Sequence, residues 1–174
     1  MKRSEAREQA FILIFERSFK DEDIDEIIEQ AQISRSMVVN GYAHSLAQDV
    51  SDNLPWLDKI IAAYSKKWKI QRISRVSLSI LRLSLWEIDH VDTVPEGVSI
   101  NEAVELAKKY GNADDFSFVN GVLGAYVRAK EHGNTENIDA EKTQEQTVTA
   151  EKEENYDGEF AEQEPSLSLS VEEL

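Results

Sequence analysis

Apolar residues recur at intervals of three and four along most of the chain, the spacing that gathers them on one face of a helix. Residues 4–19 carry Ala6, Ala10, Leu13 and Ile14 in this way, and residues 22–33 carry Ile24, Ile27, Ile28 and Ala31. Residues 35–51 follow with Val38, Val39, Tyr42, Leu46 and Val50, and residues 55–67 with Leu57, Ile60, Ile61 and Tyr64. Asn53-Leu54-Pro55 reads as the start of that fourth helix, because proline suits a first turn. Residues 73–89 present Ile73, Val76, Ile80, Leu81, Leu83 and Ile88, and a loop with Pro95 and Gly97 comes next. Ser99 and Glu102 then have the S-x-x-E spacing of a capping box, with Ala103, Leu106, Ala107 and Tyr110 at helical intervals behind them. Gly111 is placed to end that helix in the left-handed conformation. Asp114 or Asp115 is placed to cap the next helix, whose predicted buried stripe is Phe116, Val119, Leu123, Tyr126 and Val127.

No stretch shows the period-two alternation of a strand. Seven amphipathic helices joined by short loops predict an all-α fold, a helical bundle of about seven helices. Gly41, Gly121 and Gly124 fall inside predicted helices. Each costs about 1 kcal/mol there relative to alanine, which predicts close helix packing at those points. Asn101 and Asn120 read as structural polar residues, the second hydrogen-bonded within a packed helix.

The pattern stops after Lys130, and charge changes with it. Residues 131–174 hold 14 acids and 2 bases, whereas residues 1–130 hold 20 acids and 17 bases. The net charge of −15 therefore belongs mostly to the tail, and it does not argue against a polyanionic partner for the body. A segment so poor in apolar residues cannot offset its ordering entropy. The expected organisation is one all-helical domain over 1–130 and an acidic, disordered tail over 131–174. No apolar run approaches the roughly 20 residues that span a bilayer, and no secretory signal opens the chain. Cysteine is absent, which removes disulfides, thiolate metal sites and cysteine nucleophiles and fits a cytoplasmic protein.

Candidate chemistry points to binding rather than catalysis. His44, His90 and His132 lie far apart, without metal-ligand spacing, and no nucleophile elbow, P-loop or dinucleotide fingerprint occurs. No catalytic residues, metal or cofactor are expected. Cations, in contrast, are concentrated. Lys59, Lys66, Lys67, Lys69, Arg72, Arg75 and Arg82 fall in one stretch without a single acid, and Lys2, Arg3 and Arg7 open the chain. Fixed positive charge binds phosphate, and arginine adds planar paired donors. An unpaired RNA strand also needs flat groups to stack on, for which Phe15, Tyr64, Trp68 and Phe118 are candidates.

Three blocks of the sequence carry a family likeness. VSINEAVELAKKYGNADDFSFVNGVL (98–123), WKIQRISRVSLSILRLSLWEI (68–88) and the opening Ala6-Arg7-Glu8 together resemble the NusB family of transcription antitermination proteins, over roughly residues 1–130. The resemblance implies two packed three-helix subdomains and an RNA-binding role. It implies a partner, NusE, the ribosomal small-subunit protein that doubles as an elongation factor. The implied RNA is boxA-type and single-stranded, in nascent ribosomal RNA, where the pair helps RNA polymerase resist termination. On this reading Lys2, Arg3, Arg7, Lys66, Lys69, Arg72 and Arg75 supply phosphate contacts, Phe15 and Phe118 supply stacking, and Asp114 lies near the protein partner. Two other readings stand beside it: a protein–protein adaptor of the same fold without RNA binding, and the RNA-binding part of a ribosomal RNA methyltransferase.

Overall fold

The structure, a computed structural model, describes residues 1–66 and 68–135. Of the tail expected over 131–174, residues 136–174 lie outside the described residues, and Glu131 is the last residue of the final helix. Seven α-helices and no strands are present among the described residues: α1 (Arg3–Arg17), α2 (Ile24–Arg35), α3 (Gly41–Asp52), α4 (Leu54–Tyr64), α5 (Arg75–His90), α6 (Glu96–Tyr110) and α7 (Asp115–Glu131). A short 3-10 turn, Ile70–Arg72, precedes α5. Helices α1, α2 and α3 pack on one another, α5, α6 and α7 pack on one another with α4 against α5 and α7, and α5 joins the two sets by lying against both α1 and α3.

Local chemistry explains most helix starts. Asp23 and Glu26 form a reciprocal capping box at α2, with Glu26 N–H donating to Asp23 at 2.9 Å and Asp23 N–H donating to Glu26 at 3.0 Å. The Asn40 side chain accepts the Tyr42 N–H at 2.9 Å and opens α3. Ser74 accepts the Ser77 N–H at 3.0 Å and opens α5. Pro55 lies in the first turn of α4, as its spacing predicts.

Several local expectations fail for identifiable reasons. Helix α6 begins at Glu96 behind Pro95, so Gly97 is helical and Ser99 is an interior residue rather than a cap. Val38 precedes α3 and is exposed, because Asn40 starts the helix later than hydrophobic spacing suggests. Phe116 is also exposed rather than part of the buried stripe. Nothing packs within 4 Å of a side chain added at Gly41 or Gly121, and Gly124 would meet only the Arg128 side chain, so close helix packing does not explain these glycines. Asn101 and Asn120 both face solvent.

The core is aliphatic, with Phe11, Leu13, Ile24, Ile27, Leu57, Ile60, Ile61, Ile80, Leu81, Leu83, Leu85 and Leu123 among its fully buried side chains. One charged pair lies among them. Glu87 of α5 is 0% exposed and Arg7 of α1 is 3% exposed. Arg7 Nε donates to both Glu87 oxygens, at 2.7 and 3.0 Å. Tyr42 of α3 donates its hydroxyl to the same carboxylate, and Ser99 of α6 donates to it at 2.5 Å. Four helices thus meet at one carboxylate whose lone pairs are filled.

Removing Glu87 would strand the Arg7 charge in the core. We expect Glu87→Ala to lower unfolding free energy by about 3–5 kcal/mol and Tyr42→Phe by about 1 kcal/mol, measured by urea unfolding. A Glu87→Ala loss below about 1 kcal/mol would show the network to be dispensable.

Candidate nucleic-acid interface

The cations and rings singled out from the sequence sort into three places. The first is the start of α1. Lys2 and Arg3 are exposed there. The Arg3 guanidinium lies 4.0 Å from the centre of the Tyr42 ring, and Nη2 donates to Thr93 Oγ1 at 3.3 Å. Tyr42 is held by its hydroxyl on Glu87, and its pKa is raised, chiefly by burial and then by that hydrogen bond. The phenol therefore stays neutral at working pH and its ring serves as a fixed shelf for Arg3. Arg7, one turn further along, does not share this surface. It is consumed by Glu87, with Glu102 a further 3.6 Å neighbour, so its charge faces inward.

The second place is the other end of α1, roughly 21 Å away at 1.5 Å per residue. Phe11, Phe15 and Phe19 follow one another at intervals of four and form a ladder, with ring centres 5.9 Å and 5.0 Å apart. Tyr110 adjoins Phe11 at 4.9 Å, and the Arg75 guanidinium covers Phe19 at 4.2 Å. Arg75 also donates to the Ser18 carbonyl at the C-terminal end of α1, where the helix dipole favours a cation. Phe15 is half-buried and Phe19 is 59% exposed, so the ladder emerges from the core into solvent. Phe118 is half-buried against the core.

The turn between α6 and α7 borders this end. Asp115, not Asp114, ties it: its carboxylate accepts from Asn112 N–H at 2.7 Å and from Ser77 Oγ at 2.9 Å. Asp114 occupies the N-cap position but makes no side-chain cap bond, and its carboxylate is exposed. Gly111 ends α6 with φ −95°, not left-handed. Its need for glycine is steric, since a Cβ would lie 2.7 Å from both the Ala107 carbonyl and the Asp115 carboxylate. Glu8 on the flank of α1 is bound by Lys109 at 2.5 Å and by the Tyr110 hydroxyl. The Lys109 hydrogen bond, then that of Tyr110, holds the Glu8 carboxyl below the ordinary glutamate range.

The third place is the turn after α4. Lys66, Trp68, Lys69 and Arg72 are all exposed along it, and Lys67 lies outside the described residues. The stretch from Lys59 to Arg82 has no acid in sequence, yet it meets one in space. Arg82 makes a paired contact with Asp58 at 2.8 Å to each oxygen and is committed to joining α5 to α4. Tyr64, a candidate for stacking, instead packs edge-on against Tyr126 at 5.4 Å.

Lys2, Arg3, Lys66, Lys69, Arg72 and Arg75 thus lie at the surface, with Phe15 and Phe118 half-exposed. Phe19, Tyr42 and Thr93 were not foreseen. Phe19 continues the four-residue spacing of Phe11 and Phe15, and that signal was legible; the Tyr42–Arg3 contact spans 39 positions and was not. Among the described residues, no three His, Asp or Glu side chains gather as a metal site would, and no helix is long and apolar enough to cross a membrane.

Comparison with known proteins gives this arrangement a context. The model of the NusB family matches residues 4–128. The transcription antitermination protein NusB of Clostridium acetobutylicum is 38% identical over 133 residues, which cover 75% of this chain and 98% of that protein. The solved structure of T. maritima NusB superposes with a TM-score of 0.62 at 31% identity, over 71% of this chain and 89% of that one. A crystal structure described as antitermination factors NusB and NusE in complex with dsRNA superposes with a TM-score of 0.65 at 26% identity, over 73% of this chain and 96% of that one.

The two roles in the α6–α7 turn separate by mutation. Gly111→Ala is expected to lower stability by about 1–3 kcal/mol, from the clash with backbone and Asp115. Asp114→Ala should stay within about 0.5 kcal/mol of the parent. Thermal melts followed by circular dichroism check both.

Proposed function

The chain belongs to the NusB family, and on that premise we propose that it is a transcription antitermination factor that binds RNA together with NusE. It acts in the cytoplasm on boxA-type single-stranded RNA in nascent ribosomal transcripts, and it delivers that RNA and NusE to RNA polymerase so that the enzyme resists termination. It breaks no bond and takes no cofactor. The observation that carries this reading is the family match over residues 4–128, joined to an aromatic ladder that rises into solvent beneath a guanidinium.

On this reading the labour divides by position on the surface. Lys2 and Arg3 at one end of α1, and Arg75, Arg72, Lys69 and Lys66 at and beyond the other, neutralise phosphates. Phe15 and Phe118 offer ring faces to unpaired bases, with Phe19 alongside. Asp114, exposed beside them, is available to NusE. Half-exposed rings favour an unpaired strand, because bases in a duplex are already stacked on one another. Arg7 is left out of the contact set. Its part is to fix how α1 is rotated.

A gel shift with boxA RNA, with and without NusE, tests the reading. A complex is expected that tightens when NusE is added and weakens as salt rises. Phe118→Ala should weaken binding by about five-fold or more, and Arg3→Ala should reduce the steepness of the salt dependence. Absence of any complex at low salt with NusE present would overturn the RNA reading in favour of a protein–protein adaptor.

A further inference from the structure

The turn after α4 is built more firmly than a connector requires. Ser65 is buried, its N–H donates to the Ile61 carbonyl at 2.8 Å, and its hydroxyl donates to the Trp68 carbonyl at 2.8 Å. Trp68 N–H returns to the Ser65 carbonyl at 3.3 Å. Lys66 takes the left-handed conformation, φ 44°, which an L residue adopts only at a cost. These contacts tie Ser65 to Trp68, and Trp68 is 53% exposed to water. Tryptophan is a residue that folding usually covers, so one displayed outward is an unusual use of apolar surface.

Its surroundings say what would cover it. An open hollow of about 540 Å³ lies against the ring, lined by Ala62, Lys66, Trp68, Lys69, Ile70 and Gln71. Among the described residues, Lys66 and Lys69 line the hollow together with Trp68, and no acid does. A purely apolar partner would leave both ammonium groups without counter-charge, and a simple anion would leave the ring uncovered. A nucleotide answers both, because it joins a flat base to a phosphate. The turn also leads straight to Arg72 and to Arg75, whose guanidinium rests on Phe19. Trp68 and Arg75 are seven positions apart, a span of at most about 25 Å.

We propose that this turn is a stacking site for one unpaired base of the bound RNA, with Trp68 beneath the base and Lys66 and Lys69 on the flanking phosphates. It extends the RNA path beyond the ring ladder of α1, and it rests on the reading of this protein as an RNA binder. Trp68 acts here by direct contact and through its ring face, so phenylalanine should substitute and alanine should not.

The test uses the full chain with NusE and fluorescently labelled boxA RNA, either with its natural flanking nucleotides or trimmed to the element alone. Trp68→Ala is expected to weaken binding of the flanked RNA by about five-fold or more, and Trp68→Phe should restore most of it. One of the two flanks should account for the whole difference, so the alanine penalty should vanish with the trimmed RNA if the base lies there. An RNA carrying 5-iodouridine at successive positions should crosslink to the Trp68 peptide at one position. The melting curve should not change, because the ring is exposed. Unchanged affinity of Trp68→Ala for both RNAs, while the parent protein binds, overturns the stacking site and leaves the RNA reading intact. No RNA binding by the parent protein overturns the RNA reading, and the stacking site with it. A loss of affinity for NusE measured without RNA assigns the turn to the protein partner and also overturns the stacking site.

Discussion

The surface that α1 presents depends on how that helix is rotated about its own axis, and the Glu87 carboxylate sets that rotation. A buried carboxylate is tolerated only when its charge is opposed and its oxygens are occupied. Arg7 opposes it, while Tyr42 and Ser99 occupy the remaining lone pairs. Aliphatic packing alone would accept small rotations of a helix, because leucine and isoleucine contacts have no direction. A guanidinium paired to both oxygens of one carboxylate does not. With Arg7 pinned, residues of α1 fall at 100° steps from it. Arg3 is thereby turned towards Tyr42 and Thr93, and Phe11 and Phe15 run from the core outward, with Phe19 following just past the end of the helix.

Helical periodicity revealed all seven helices, because burial of one face is a local property repeated every turn. Helix ends were less legible. The Ser99–Glu102 spacing looks like a cap, yet Pro95 begins the helix a turn earlier and Ser99 is drawn inward to Glu87. Gly111 looks like a left-handed terminator, yet its role is to let the Asp115 carboxylate approach the end of α6. In both cases a residue type suited to a local motif serves a contact with a neighbouring helix, and spacing along one helix carries no trace of that partner.

The same limit shaped the reading of the site. Arg7 and Arg82 are chemically identical to Arg3 and Arg75 in the sequence. Only the fold shows that Glu87 takes the first and Asp58 the second. Lys2, Lys66, Lys69 and Arg72 are exposed. The aromatic candidates divided likewise, with Tyr64 against Tyr126 and Trp68 in the open.

Charge partition has a consequence for how such a body meets RNA. Residues 1–130 are close to neutral, with 20 acids and 17 bases, so no long-range field draws a polyanion in. At physiological salt a charge is felt over only about 8 Å. Attraction must therefore come from cations that acids elsewhere on the surface do not neutralise, displayed beside rings that hold a base once it arrives. On the proposed reading, Arg75 on Phe19, and Lys66 and Lys69 near Trp68, are those cations. Burying Arg7 and committing Arg82 removes two cations from the attractive surface, but it makes the framework rigid. Rigidity lowers the entropy lost when flexible RNA is ordered on it, since the protein side is already arranged. A few fixed cation–ring pairs can then select an unpaired strand where a broad basic surface would hold any nucleic acid.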